Sequence, residues 1–189
     1  PLIYCNTVGS QTEIVFDGGS LILDAQGNLI RELKFFEEAL ASIEWKLDNS
    51  FEGAPVKIAS ALPDQESDPE MLDPELHIER IHDALVMGIR QYFSKMDFRE
   101  AIVASSGGID SAVVLALACS ALGAKQVRAL LLPSAFSSGH SVTDATQLSE
   151  QLGNPYDILP IKDIFETVGE TLRPVFKDMP FNVAEENIQ

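Results

Sequence analysis

Residues 101–122 set a short apolar run, Ala101–Ala104, directly before Ser105-Ser106-Gly107-Gly108-Ile109-Asp110-Ser111, and follow it with an almost unbroken apolar stretch to Leu122. A glycine pair wedged between two buried segments admits few folds. The first segment is too short for anything but a strand, and the second is long enough for a helix, which Gly123 stops. Gly107 and Gly108 carry no side chains, so the backbone can turn tightly and bring its N–H groups close to an anion. Ser106 and Ser111 offer hydroxyls, and the positive end of the following helix points at the same spot. Asp110 falls in the first helical turn. A lone carboxylate beside a phosphate repels it, so a bridging Mg2+ is expected with Asp110 as its ligand. A helix dipole supplies ~0.3–2 kcal/mol, whereas micromolar nucleotide binding needs ~8 kcal/mol. Several N–H donors and a metal must therefore act together.

The loop is not a Walker A motif, since no Gly-Lys-Ser/Thr follows, nor is it GxGxxG. Without a lysine for a γ-phosphate, it is better suited to gripping pyrophosphate as a leaving group. Average residue usage produces SGGxDS by chance in roughly one chain of this length in five thousand.

From residue 100 onward strands and helices alternate. Strands are expected at 101–104, 126–132 and 156–159, and helices at 111–122, 142–152 and 162–176, with Asn182 and Glu185 as a capping box for one more. The repeated order predicts an α/β, doubly wound parallel sheet over residues ~75–189, covered on both faces, with the 111–122 helix buried all round. Ligands bind beyond the carboxyl ends of such strands, so the loops 105–111, 133–141 and 160–163 should share one edge. The second loop, Pro133-Ser134-Ala135-Phe136-Ser137-Ser138-Gly139-His140-Ser141, offers hydroxyls and an aromatic ring to a base or ribose; alternatively it is a polar loop with Ser141 capping the next helix. His140 reads as a surface histidine. His77 and His82 are five apart, on different helix faces, and do not read as a zinc pair.

Upstream, residues 1–47 read as β, with strands at 2–5, 13–16, 20–24 and 29–35 and turns at Asp17-Gly18-Gly19 and Ala25-Gln26-Gly27-Asn28. Four short strands bury little by themselves. Residues 48–74, broken by Pro55, Pro63, Pro69 and Pro74 and loaded with carboxylates, read as a linker. A helix is expected over 75–96. The chain opens as if in mid-strand and closes as if in mid-helix, so both ends are expected to be cut.

The net charge is −16, from 29 acidic and 13 basic side chains. That balance repels a phosphate backbone and argues against nucleic acid as a partner. No stretch reaches the ~18 apolar residues of a membrane span, and no signal peptide opens the chain. Cys5 and Cys119 sit in apolar settings with no disulfide framework, which points to the cytoplasm. Cys119 reads as core.

Ser106–Ala112, SGGIDSA, resembles the signature of the N-type ATP pyrophosphatases. ALGAKQVRALLLPSAFSSGHSVTDATQLSEQLG and NVAEENIQ resemble the synthetase domain of NAD+ synthetases. NTVGSQTEIVFDGGSLILDAQGNLI resembles the end of the nitrilase-like glutaminase domain, an α/β sandwich, that is fused to it in the glutamine-dependent forms. The resemblance implies residues 1–47 as the end of the glutaminase domain, 48–74 as an acidic Pro-rich linker, and 75–189 as the first part of the synthetase domain. It implies a carbon–nitrogen ligase that amidates deamido-NAD+ through an adenylate, using ATP, Mg2+ and ammonia from glutamine. By the same resemblance Ser105, Ser106, Gly107, Gly108, Ile109, Asp110 and Ser111 grip the ATP pyrophosphate, with Asp110 on Mg2+, and Pro133, Ser134 and Ser137 lie by the adenosine. A homo-oligomer is expected. The residue before SGG is usually apolar in this family; here it is Ser105. The Glu-Lys-Cys triad of the glutaminase lies upstream of Pro1, and the role of its cysteine is not carried over to Cys5. The piece alone is expected to be inactive. Competing readings are another ligase of the same fold, such as a GMP synthetase or a tRNA-thiolating enzyme, and a non-catalytic adenine-nucleotide sensor. A thiolating enzyme calls for cysteines by the loop and basic patches, and the sequence has neither.

Overall fold

The structure, a computed structural model, describes residues 1–44, 74–134 and 139–174, with the backbone alone for 74–77. Packing divides the chain into two units, Pro1–Met96 and Asp97–Gln189.

The first unit holds five strands: β1 (Leu2–Tyr4), β2 (Val8–Gln11), β3 (Ile14–Asp17), β4 (Leu21–Leu23) and β5 (Leu29–Glu32). They form an antiparallel sheet in the order β1-β4-β5 and a separate β2–β3 hairpin. The expected β4–β5 turn is present. Asp24 Oδ1 accepts the N–H groups of Gln26 and Asn28 at 2.9 and 2.8 Å, and Gly27 takes φ +85°. These bonds, led by the one from the Asn28 side chain, hold the Asp24 carboxyl below its ordinary pKa. β2 is an addition to the four expected strands. Val8-Gly9-Ser10-Gln11 has no apolar alternation, and the strand exists because β3 pairs with it and a helix packs on it. That helix, α1 (Pro74–Lys95), follows the expected span and buries Val86 and Met87.

The second unit is the expected α/β arrangement. Strands β6 (Ala101–Ala104), β7 (Val127–Leu131) and β8 (Tyr156–Ile158) run parallel in that order. Helices α2 (Ile109–Leu122) and α3 (Gly139–Leu152) are the crossovers, and α4 (Lys162–Leu172) follows β8. Alternate residues of β7, Val127, Ala129 and Leu131, point into one core with Leu115, Ala118 and Cys119 of α2 and Ala145 of α3. Both crossover helices thus lie on one face, as strands in chain order require when each crossover has the same hand. Among the described residues the other face is open: Ile102 is 69% exposed, and Arg128 pairs with Asp157 at 2.6 Å.

Two other local expectations change. α2 is not buried all round, since Val113 and Val114 are about half exposed. Its apolar residues occupy two faces, and one of them packs on the sheet. α3 begins at Gly139, so Ser141 lies inside its first turn and is not its cap. α4 spans Lys162–Leu172, Arg173 after it keeps helical angles (φ −49°, ψ −39°), and residues 175–176 of the expected helix lie outside the described residues. Asn182 and Glu185 lie outside the described residues.

Candidate functional site

Parallel strands carry their carboxyl ends to one side. Ala104, Leu131 and Ile158 end the three strands, and hydrogen bonds knit the loops beyond them. Ser105 N–H donates to the Leu130 carbonyl (2.9 Å), Leu159 N–H to that of Leu131 (2.8 Å), and Ile161 N–H to that of Pro133 (3.0 Å). A cleft of about 280 Å³ opens at this edge, near the lower limit for small-molecule sites. Its walls come from all three expected loops: Ser105 and Ser106 from the first, Pro133, Ser134 and Ser141 from the second, and Ile161 from the third. Ser137 and Phe136 lie outside the described residues.

The glycine turn is internally wired. Ser111 Oγ–H donates to the Gly108 carbonyl (3.0 Å) and Ser111 Oγ accepts the Ser106 N–H (3.1 Å). Its one proton is thereby used, so in the 3.1 Å contact between the two hydroxyls Ser106 is the donor. Ser106 Oγ in turn accepts the Gly108 N–H at 3.3 Å. Gly108 is the N-cap of α2 and supplies no side-chain cap. The N–H groups of Ile109, Asp110 and Ser111 have no partner among the described residues, so the first turn of α2 holds three donors ready for an anion.

The two glycines differ. Gly107 has φ +80°, and a Cβ there would lie 2.3 Å from the main-chain oxygen of Ser141. The fold itself demands glycine at that position, because the first loop presses on the start of α3. Gly108 has φ −86°, and a Cβ would meet nothing nearer than Ser106 Oγ at 3.4 Å. Nothing in the fold requires glycine there, which leaves bare backbone for a ligand to approach. The contact of Gly107 with Ser141 was not foreseen from the sequence. Its one signal was that both loops had to lie on the same edge.

Asp110 is exposed and its carboxylate has no partner among the described residues. No cluster of three metal-ligating side chains occurs among those residues. One carboxylate beside serine hydroxyls and open phosphate-binding donors nonetheless suits Mg2+, which takes one or two carboxylates and completes its shell with phosphate and water. Ser105 is 5% exposed and lines the cleft, and its Oγ is a buried hydroxyl without a partner among the described residues. His140 lies exposed in the first turn of α3. Cys119 is core, as expected, and burial pushes its thiol pKa up. Cys5 is an exposed thiol one residue beyond β1.

A parallel sheet with a glycine turn, an open helix N-terminus and a serine-lined cleft at its carboxyl edge marks an α/β protein whose fold is suited to holding phosphate groups. Within that class the chain belongs to the NAD synthase family, whose model matches residues 81–189. A glutamine-dependent NAD(+) synthetase of Synechocystis sp. is 40% identical over 189 residues, covering all of this chain and 32% of the relative. The solved glutamine-dependent NAD+ synthetase of Acinetobacter baumannii, in complex with ADP, superposes with a TM-score of 0.84 at 32% identity, over 98% of this chain and 33% of that one. The NH3-dependent NAD synthetase of Campylobacter jejuni, holding a nitrate ion, matches 58% of this chain and 45% of its own, with a TM-score of 0.51 at 26% identity. The chain thus spans about a third of the length of its glutamine-dependent relatives.

Proposed function

We propose that this chain is the central piece of a glutamine-dependent NAD+ synthetase. In this reading the nicotinate carboxylate of deamido-NAD+ attacks the α-phosphorus of ATP and pyrophosphate leaves. Ammonia released from glutamine then attacks the acyl carbon, and AMP leaves with formation of NAD+. The observation that carries the reading is the turn at 106–111. Its serine wiring pre-forms the loop, and the donors of Ile109, Asp110 and Ser111 face outward to stabilise charge on the departing diphosphate. Asp110 would hold Mg2+, which supplies charge neutralisation when bound. Ser105, which lines the cleft, would belong to the pyrophosphate grip, and Pro133, Ser134 and Ser137 would sit by the adenosine. The ADP bound by the Acinetobacter relative supports a nucleotide here.

The domain reading follows the same comparisons. The glutamine-dependent structure matches 98% of the chain and the NH3-dependent one 58%, and the family model leaves out residues 1–80. This supports residues 1–47 as the end of a glutaminase domain, 48–74 as a linker and 75–189 as the start of the synthetase domain. The two free thiols are in keeping with a cytoplasmic enzyme. A homo-oligomeric assembly is part of the same proposal.

The test uses the full-length protein with Mg-ATP, deamido-NAD+ and either glutamine or ammonium chloride. AMP, pyrophosphate and NAD+ should appear in equal amounts. Asp110→Asn should keep the fold and lower turnover by about 100-fold or more, the scale of losing one charge-stabilising group. ATP bound without pyrophosphate release, or wild-type turnover in Asp110→Asn, would falsify the reading.

A further inference from the structure

α1 occupies an unusual place. By packing it belongs to the first unit, yet the family match begins inside it, at residue 81. It is the one element of that unit which the family model reaches, and only residues 96–100 separate it from β6, the strand that leads into the glycine turn.

Its attachment to the first unit is specific. Ser10, 6% exposed, lies in the middle of β2 and stands opposite Val15 of β3. Its N–H donates to Gln91 Oε1 at 2.7 Å, and its carbonyl accepts from Lys95 Nζ. Both main-chain groups therefore face α1 and not β3, so Ser10–Val15 is a non-hydrogen-bonded pair. A two-stranded hairpin has open polar edges. Gln91 and Lys95, one helical turn apart, supply the acceptor and the donor that a third strand would have supplied. Residue 9 is matched to this arrangement. Gly9 has φ +144°, and a Cβ there would lie 3.0 Å from Gln91 Oε1. The fastening grips main chain, so the side chains of β2 do not set its strength.

We propose that Gln91 and Lys95 are positioning residues for the transfer of ammonia: they lock the helix that opens the synthetase segment to a hairpin of the glutaminase segment, so that glutamine hydrolysis stays coupled to amide formation. This rests on the function and domain reading above.

The experiment is made in the full-length protein. NAD+ formation is measured with glutamine and, separately, with saturating ammonium chloride, together with glutamate released per NAD+. Gln91→Leu and Lys95→Met each keep shape and remove one bond. Each should lower the glutamine-supported rate roughly three- to tenfold, the range of one shielded hydrogen bond, and raise the glutamate-to-NAD+ ratio. The ammonia-supported rate should stay within about twofold. Gln91→Glu, whose carboxylate still accepts from Ser10 beside Lys95, should restore coupling. Amide exchange at Ser10 should speed up in Gln91→Leu and not in Gln91→Glu.

Two outcomes overturn the proposal: both rates falling together, which marks a merely structural role, or an unchanged glutamate-to-NAD+ ratio in both Gln91→Leu and Lys95→Met. A wild-type protein that makes NAD+ from neither nitrogen source sinks the functional reading itself, and is recognised by that control alone.

Discussion

The two units bury apolar surface to different depths. In the second, Leu115, Val127 and Leu131 are less than 2% exposed, sealed between one sheet face and two helices. In the first, Leu2, Ile3, Ile14, Val15 and Phe16 are 37–59% exposed, and polar fastenings recur. Asn6 alone binds Ser20 Oγ, Asp17 Oδ1 and the Gly18 carbonyl at 3.0, 2.9 and 2.7 Å, Asp24 pins its turn, and Gln91 and Lys95 grip Ser10. The lesson is one of geometry. A βαβ crossover carries its own cover, so even three strands close a core. An antiparallel meander brings none, and among the described residues directed bonds add to the small cluster of Ile22 and Ile30.

The largest effect that tests this contrast is Leu131→Ala. Truncating a side chain 1% exposed should cost ~2–5 kcal/mol, whereas Ile14→Ala, at a position 59% exposed, should stay within ~0.5 kcal/mol. Chemical denaturation of both variants compares them directly, and an equal loss would break the distinction. Gly107→Ala should follow in size. The left-handed backbone costs ~1–2 kcal/mol, to which displacement of the Ser141 main chain adds. Melting temperature and pyrophosphate affinity should both drop.

Gly108→Ala sharpens the picture within one loop. Melting should be unchanged or improved by ~0.4–1 kcal/mol, since its backbone suits alanine, while calorimetric titration with pyrophosphate or Mg-ATP should show weakened binding. Unimpaired binding would remove the reason given for that glycine. The smallest effect belongs to Asp24. Its pKa is lowered in the folded state, chiefly by the Asn28 side chain. Its stabilising share is therefore full above the unfolded value of 3.8 and is lost as pH falls through the lower folded value. Asp24→Asn should lower the first unit's neutral-pH melting slightly, and its difference from the wild type should vanish as pH falls below the folded value.

Much of the second unit was legible because its punctuation is local. Gly123 and Gly153 take positive φ at helix ends, and Pro133 and Pro160 follow strands, as their chemistry demands. The shared loop edge followed from strand direction alone. β2 was not legible, because Val8-Gly9-Ser10-Gln11 is held by a helix more than 80 residues away. Nor was the exposed side of α2. Its composition is apolar on all sides, and composition does not say which side meets the sheet. At the site, the glycine pair read as one feature and proved to be two, separable only once φ and the neighbour at Ser141 were known.

The serine wiring has a dynamic corollary. Of the four bonds in the turn, two are donated by hydroxyls and can each be surrendered by rotating a single C–O bond, and the Ser106 hydroxyl can in this way turn from Ser111. Ser111 keeps its other two links when that happens. An arriving phosphate oxygen can thus collect a hydroxyl by simple exchange, one contact for one, and on departure the rotor swings back. The cradle needs no refolding between cycles of capture and release.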